Sequence, residues 1–297
     1  MIRNSNNIKT NLLLILVTVF WGVTPAFMKV SLLEMNAFTF NTLRLFTALI
    51  VSGSFLAFSG SWKKVDKKDW LQFIVTGLFG FFIFQICFPI GVKYTSVSIS
   101  ALIMATLPIN VVLINLLFRL EKISLRTIIG IIFSIAGITI IIFGTEGGIS
   151  LDGTHTIGVL LLFLSEVGFA IYTVKSKPLI IKYSIYQVLF IVIVFSFVPF
   201  VFLAAKNIVN TSFYSVSGIA WIGLFFTGIF GTCIANILWY GGIMKIGSTK
   251  TSIYGNLPPV FGIVVSFIFL NETLTLLQIA GGFVIMAGVI LVNRKNT

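Results

Sequence analysis

Thr76-Gly77-Leu78-Phe79-Gly80 and Thr227-Gly228-Ile229-Phe230-Gly231 are one short segment written twice, 151 positions apart. The correspondence runs without a gap from residue 76 to residue 140. Along it Gly91 meets Gly242, Pro108 meets Pro259, Glu121 meets Glu272, Gly130 meets Gly281, and Ala136-Gly137 meets Ala287-Gly288. Ahead of it the match is weaker: Gly22 and Lys29 fall on Gly168 and Lys175 at an offset of 146. Such a repeat marks two halves descended from one unit. If an odd number of membrane crossings separates the copies, they sit upside down relative to each other, the arrangement of alternating-access carriers.

Composition puts the chain in a membrane. Of 297 residues, 58% are hydrophobic and only 9% charged, and the mean hydropathy is +1.09. A soluble domain has no core large enough to hide that fraction. The apolar stretches are near the ~20 residues that a helix needs to cross hydrocarbon. Alternating segments of the kind that build a membrane barrel are absent from the sequence, which leaves helices. The sequence predicts an all-α integral membrane protein with ten transmembrane helices at 11–31, 37–58, 70–92, 97–119, 125–144, 156–175, 184–204, 218–243, 251–270 and 275–293. Arg3 and Lys9 precede the first stretch as in a signal peptide, but its length and the lack of a small-residue cleavage site make it a span.

The net charge of +12 would suit nucleic acid if it were clustered, but it is not. With the N-terminus inside, sixteen of the twenty Lys and Arg residues fall in cytoplasmic segments, among them Lys63, Lys64, Arg119, Lys122, Arg126, Lys245 and Lys250, and only Lys93 and Lys206 fall outside. That asymmetry places both termini in the cytoplasm. It also tests the repeat. Arg119, Lys122 and Arg126 flank a cytoplasmic link, and their equivalents Leu270, Thr273 and Leu277 flank an external one without charge. Conversely, cytoplasmic Lys245 and Lys250 correspond to external Tyr94 and Ile99. The reading is two inverted five-helix repeats: residues 1–144, an external linker at 145–155, and residues 156–297 ending in a short cytoplasmic tail. No polar stretch is long enough for a soluble catalytic domain.

Trp21-Gly22 in the first span, Leu43-Arg44 in the second, Pro108 followed by Glu121-Lys122, and Pro259 followed by Asn271-Glu272-Thr273 give the chain a pattern that resembles the EamA-like family of the drug/metabolite transporter superfamily. The resemblance covers nearly the whole chain. It implies a ten-helix carrier in the cytoplasmic (inner) membrane, commonly an exporter of amino acids, related metabolites or toxic small molecules, with helices one, three, four, six, eight and nine lining the pathway. It fixes no single substrate. Glu166 departs from the uncharged residue that the family often has in span six, which leaves the coupling mechanism open.

The residues offer several pathway candidates. Glu166 lies mid-span, where an ionised carboxylate needs water, a cation or a hydrogen-bond network; it is read as a proton-coupling site, as a partner for a substrate amino group, or as a structural partner of Arg44. Arg44 resembles the span-two arginine of the family, which favours a structural role over the alternative of a substrate contact. Pro108 and Pro259 each remove a backbone donor at mid-span and are read as hinges along the pathway or as static kinks. Gln85 and Asn236 are equivalent in the repeat and flank the midplane, either as contacts for a polar metabolite or as interhelical glue. Trp21, Trp239, Tyr240 and Tyr254 are either aromatic walls of the same cavity or interfacial anchors. Lys29 and Lys175 are read as snorkelling to headgroups. Glu121 and Glu272 end spans four and nine and are read as orienting helix ends, with gating as the lesser alternative. The paired glycines are read as packing.

Other function classes find little support. His155 is the only histidine and sits in the predicted linker. The sequence carries no HExxH pair, no phosphate-cradling GxxxxGK[ST] and no nucleophile, base and acid within one region, so neither an enzyme nor a nucleotide-driven pump is expected. A channel filter is not visible either. Cys87 and Cys233 fall in different spans and predict no disulfide. No cofactor or metal and no nucleic acid is expected; the partners are a small-molecule substrate, membrane lipid and a coupling proton, with the unit a monomer or homodimer. A multidrug exporter and a facilitative uptake carrier stand as alternatives to metabolite export.

Overall fold

The structure is a computed structural model that describes residues 2–94, 103–104, 106–143, 153–258, 260–261 and 275–293. Among these it is all helical. We number ten helices: α1 (Ile2–Glu34), α2 (Ala37–Ser59), α3 (Trp70–Ile74 continuing through Val75–Phe82 and Ile83–Tyr94), α4 (Leu107–Leu117), α5 (Leu125–Phe143), α6 (Gly153–Lys182), α7 (Ile185–Val209), α8 (Gly218–Phe226 continuing through Thr227–Ile234 and Ala235–Ile246), α9 (Ser248–Ser252, continuing as a tighter turn over Ile253–Asn256) and α10 (Leu276–Asn293). Six of them, α1, α2, α3, α6, α7 and α8, hold described stretches long and apolar enough to cross a bilayer. The chain is a multi-pass membrane protein.

Local chemistry sets the helix ends. Asn36 Oδ1 accepts from Phe38 N at 2.9 Å to start α2, and Ser184 Oγ accepts from Gln187 N at 3.1 Å to start α7, each satisfying a donor that the first turn leaves free. Gly60, at φ 58, closes α2 because a left-handed residue costs a glycine little. In span four the sequence predicts a proline in mid-helix, whereas Pro108 occupies the first turn of α4, after a turn in which Thr106 N bonds Ile103 O at 2.9 Å. There the missing N–H has no intrahelical acceptor to lose, so Pro108 stands in the first turn of α4, just after the break at Thr106. Pro259 lies outside the described residues, as does Glu272. Pro258, described and buried, follows the tight turn of α9.

The quoted repeat has a conformational signature. Val75–Phe82 in α3 and Thr227–Ile234 in α8 are both π-helical, a wide turn that is rare elsewhere. Helices pair between halves: α5 with α10, α3 with α6, α2 with α7, and α1 with α8. Small residues set the separations. A Cβ on Gly80 would lie 2.8 Å from Tyr172 N, and one on Gly137 2.6 Å from Gly281 O. Gly130 packs on Gly288 and Gly137 on Gly281, so α5 and α10, which the repeat equates, cross antiparallel.

These contacts fix the register of the weaker half of the repeat. Gly91 packs on Leu162 and its equivalent Gly242 on Leu14; Gly80 packs on Tyr172 and Gly231 on Thr24; Gly77 packs on Phe195 and Gly228 on Thr47. Each pair of partners is 148 residues apart, as are the caps Asn36 and Ser184. The first two helices of each half therefore correspond at 148 and not at the 146 suggested by Gly22 and Gly168. The sequence match misled because large side chains on opposite ends of a contact need not be alike; only the glycine they cover is constrained.

Candidate functional site

Between the paired helices lies a cavity of about 80 Å³, room for several water molecules. Its walls come from α1 (Trp21, Thr24, Met28), α2 (Arg44), α3 (Phe81, Phe84, Gln85, Phe88), Met104 and Leu107 of the α4 region, α6 (Glu166, Phe169), α8 (Gly231, Thr232, Asn236) and the tight turn of α9 (Gly255). All six helices that the resemblance implied contribute, and α2 joins them through Arg44. The lining is symmetric in the repeat. Trp21 and Phe169 correspond at 148, and Phe81 with Thr232, Gln85 with Asn236 and Met104 with Gly255 correspond at 151. The cavity therefore sits where the two halves exchange, as a site shared between repeats must.

Two ionisable groups face this space. Arg44 is 5% exposed; its Nη2 donates to Gln85 Oε1 at 2.6 Å, its Nε is left without a partner, and its guanidinium stands 5.7 Å from the centre of the Phe40 ring. Asn41 Nδ2, three residues earlier, donates to Gln85 O at 3.2 Å and ties the same two helices. Glu166 is 3% exposed and makes no hydrogen bond or ion pair among the described residues. No salt bridge joins it to Arg44. A charge held in mid-membrane costs about 2.5–3.5 kcal/mol even on the lenient insertion scale. Both groups open onto one cavity, and neither has a counter-charge among the described residues.

The remaining surface is aromatic. Trp21 Nε1 donates to Gly231 O at 3.0 Å, stapling α1 to the π-turn of α8, and its ring meets Phe169 edge-on at 5.4 Å. Trp239, Tyr240 and Tyr254 do not line the cavity; they are fully or almost fully buried beneath it. Trp239 lies 4.9 Å from Trp21, and Tyr240 stacks at 5.3 Å on Tyr172. Tyr172 OH donates to Asn236 Oδ1 at 2.8 Å, and Trp239 Nε1 to Thr173 Oγ1 at 3.2 Å. Together they form a floor that closes the bundle on the side of the α6 C-terminus, while the cavity extends toward Met28 and Phe88. Gln85 and Asn236 thus differ in use: one holds a cavity cation, the other holds the floor.

Below the floor is a second polar cluster, around a residue that the sequence reads as orienting a helix end, with gating as the lesser alternative. Glu121, in the link after α4, accepts from Lys177 Nζ at 2.6 Å and from Ser248 N at 2.9 Å on one oxygen, and from Thr249 N at 3.1 Å on the other. Burial works to raise its pKa, but the Lys177 contact and the hydroxyl and N–H groups of residues 248 and 249 outweigh it and hold the carboxyl down at about 2. Lys175, read from sequence as snorkelling, instead sits 3.5 Å over the Phe118 ring.

The fold agrees with what the chain is similar to. The model of the EamA-like transporter family matches residues 8–143 and again 156–294. The chain belongs to the EamA-like transporter family. Among its relatives, an uncharacterized transporter of Archaeoglobus fulgidus is 27% identical over 293 residues, covering 96% of this chain and 99% of its own. The uncharacterized transporter YvbV of Bacillus subtilis is 29% identical over 297 residues, covering 97% and 92%. A solved structure, described only as the crystal structure of a protein, superposes with a TM-score of 0.79 at 16% identity over 96% of each chain; it speaks to the fold alone. Membership of the EamA-like family makes the chain a membrane transporter and leaves its cargo to the cavity.

Proposed function

We propose that this EamA-like chain is a secondary transporter that exports amino acids or closely related small zwitterions across the cytoplasmic membrane, by alternating access between two inverted halves. The observation that carries the reading is the cavity's pair of unneutralised groups, Arg44 and Glu166, on different helices within one aromatic lining. A zwitterion brings a carboxylate to the Arg44 fork and an ammonium to Glu166, and so meets both charges in one binding event. Trp21, Phe84 and Phe169 offer its side chain an apolar wall. A carboxylate on a wet cavity can also exchange a proton with it, and Glu166 is the coupling site of this scheme: proton and substrate ammonium compete for it, which makes transport an antiport. Export follows from the family resemblance, and the placement of both termini in the cytoplasm from the sixteen-to-two distribution of Lys and Arg. The aromatic lining favours one second reading, a flat cationic toxicant held over the rings with Glu166 as counter-ion.

The test is exchange in proteoliposomes across a panel of amino acids, small metabolites and aromatic cations, with and without an imposed pH gradient, with Glu166→Gln in parallel. Gradient-driven amino acid flux that Glu166→Gln abolishes, with the protein still folded, is expected. Flux of both forms that ignores the gradient makes the chain a facilitator. Flux of aromatic cations alone selects the second reading.

A further inference from the structure

We infer that the Glu121 carboxylate is a latch that holds the floor side of the cavity shut, and that its release is the step that opens the pathway on that side. The inference rests on the alternating-access reading above. Glu121 joins three elements that meet at this end of the bundle: the link after α4, the C-terminal part of α6 through Lys177, and the start of α9 through the N–H groups of Ser248 and Thr249. Asn115 on α4 strengthens the same seam, donating to Ser248 Oγ at 3.0 Å and Thr249 Oγ1 at 2.9 Å.

The backbone is shaped for this contact. Arg119 adopts a left-handed φ of 51, uncommon for a residue with a side chain, and so turns the chain to deliver Glu121. Gly247 joins α8 to α9 at φ 87, and a Cβ there would lie 2.9 Å from Glu121 Oε1. One carboxylate thus fills the coordination of a helix start that has no capping side chain of its own. Two of the three acceptor contacts are made to α9 and one to α6, so moving both away from α4 breaks three charge-assisted bonds together, which suits a two-state closure more than a gradual one. In sequence the set recurs: at offsets of 151 and 148, Glu121 and Lys177 correspond to Glu272 and Lys29. Glu272 and the Lys29 side chain lie outside the described residues, and the inference stands on Glu121 alone.

The experiment reads both ends of the pathway at once, in the purified full-length chain with Cys87 and Cys233, both buried, changed to alanine. Reporter cysteines are placed singly at Ser252→Cys, fully buried in α9 between latch and floor, and at Met28→Cys on the cavity wall. Alkylation rates are then compared with and without Glu121→Gln, and with and without Lys177→Gln, which removes the cation and leaves the Glu121 carboxylate on α9. Release of a latch raises the rate at residue 252 at least about fivefold and lowers the rate at residue 28, because both report one equilibrium; Lys177→Gln shifts them the same way by less. A rise at residue 252 with residue 28 unchanged is local fraying and overturns the inference, as does no change at either. If neither variant accumulates folded, Glu121 is a brace and not a latch. Failure of the carrier reading appears elsewhere, as absence of substrate exchange by the unmodified chain whatever Glu121 does to alkylation.

Discussion

Arg44 owes its position to a neutral partner. Gln85 Oε1, at 2.6 Å, is the one side-chain acceptor that the guanidinium has among the described residues, and Nε is left bare. A hydrogen bond to a charged group is worth about 1.5–3 kcal/mol, so Gln85→Leu should destabilise the protein by that order, read as a lower melting temperature in detergent. Gln85→Glu separates the roles. It keeps the acceptor and supplies a counter-charge, so the fold should be retained or strengthened, while Arg44 loses its free positive field and the KM for a zwitterion rises at least tenfold. Equal KM values for Gln85→Glu and the unmodified chain would mean that Arg44 does not see the substrate. At this scale sequence went part of the way. Glu166, Arg44, Gln85 and Asn236 stand out because polar groups in apolar spans are costly, and the structure brings all four to one cavity. The direction of Trp239, Tyr240 and Tyr254 was not legible, since a helix stripe of aromatics looks the same whether it faces a cavity or seals it.

The helices are built around glycine contacts of unequal stringency. A Cβ on Gly80 would press on backbone atoms of Tyr172 at 2.8 and 2.9 Å, whereas one on Gly231 would meet the Thr24 hydroxyl at 2.7 Å and one on Gly241 would meet nothing within 4 Å. Backbone in a packed helix cannot step aside, but a side chain can rotate. Gly80→Ala should therefore cost about 1–3 kcal/mol, the usual range for overpacking, with Gly231→Ala milder and Gly241→Ala near neutral in thermal unfolding in detergent. The same order should hold for π-helical content only if the wide turn depends on close approach; equal effects at Gly80 and Gly241 would assign the cost to helix propensity. The twin Thr-Gly-x-Phe-Gly segments announced this element in the sequence, but their π conformation did not show, because hydrophobic periodicity is blind to one extra residue in a turn. Pro108 shows a related limit: a proline in a long apolar run reads as a hinge or a kink, and the sequence does not say that the break falls at Thr106, just ahead of it.

At the scale of the whole molecule, the antiparallel crossing of α5 and α10, with Gly130 on Gly288 and Gly137 on Gly281, is what a duplicated unit gives when its second copy enters the membrane the other way up. Geometry within the bundle does not orient it in the bilayer; the proposed orientation rests on charge. Lys and Arg gather at the ends where α2 and α4 finish and where α8 meets α9, and a membrane potential and an anionic inner leaflet favour those ends inside. In the proposed orientation the loop between α7 and α8, with Tyr214 fully exposed, faces out, and so does the end of the cavity nearest Met28. In a background without Cys87 and Cys233, Tyr214→Cys should react with a membrane-impermeant maleimide on intact cells, while Lys64→Cys and Lys122→Cys should react only after permeabilisation. The reverse pattern would turn the molecule over. It would put Glu121 at the outer face, convert the proposed latch from an inner gate to an outer one, and make the open cavity a receptor for cytoplasmic substrate at rest. Labelling of all three sites in intact cells would instead mean mixed insertion, which the sixteen-to-two charge distribution argues against because each repeat carries its cations on the link that must stay inside.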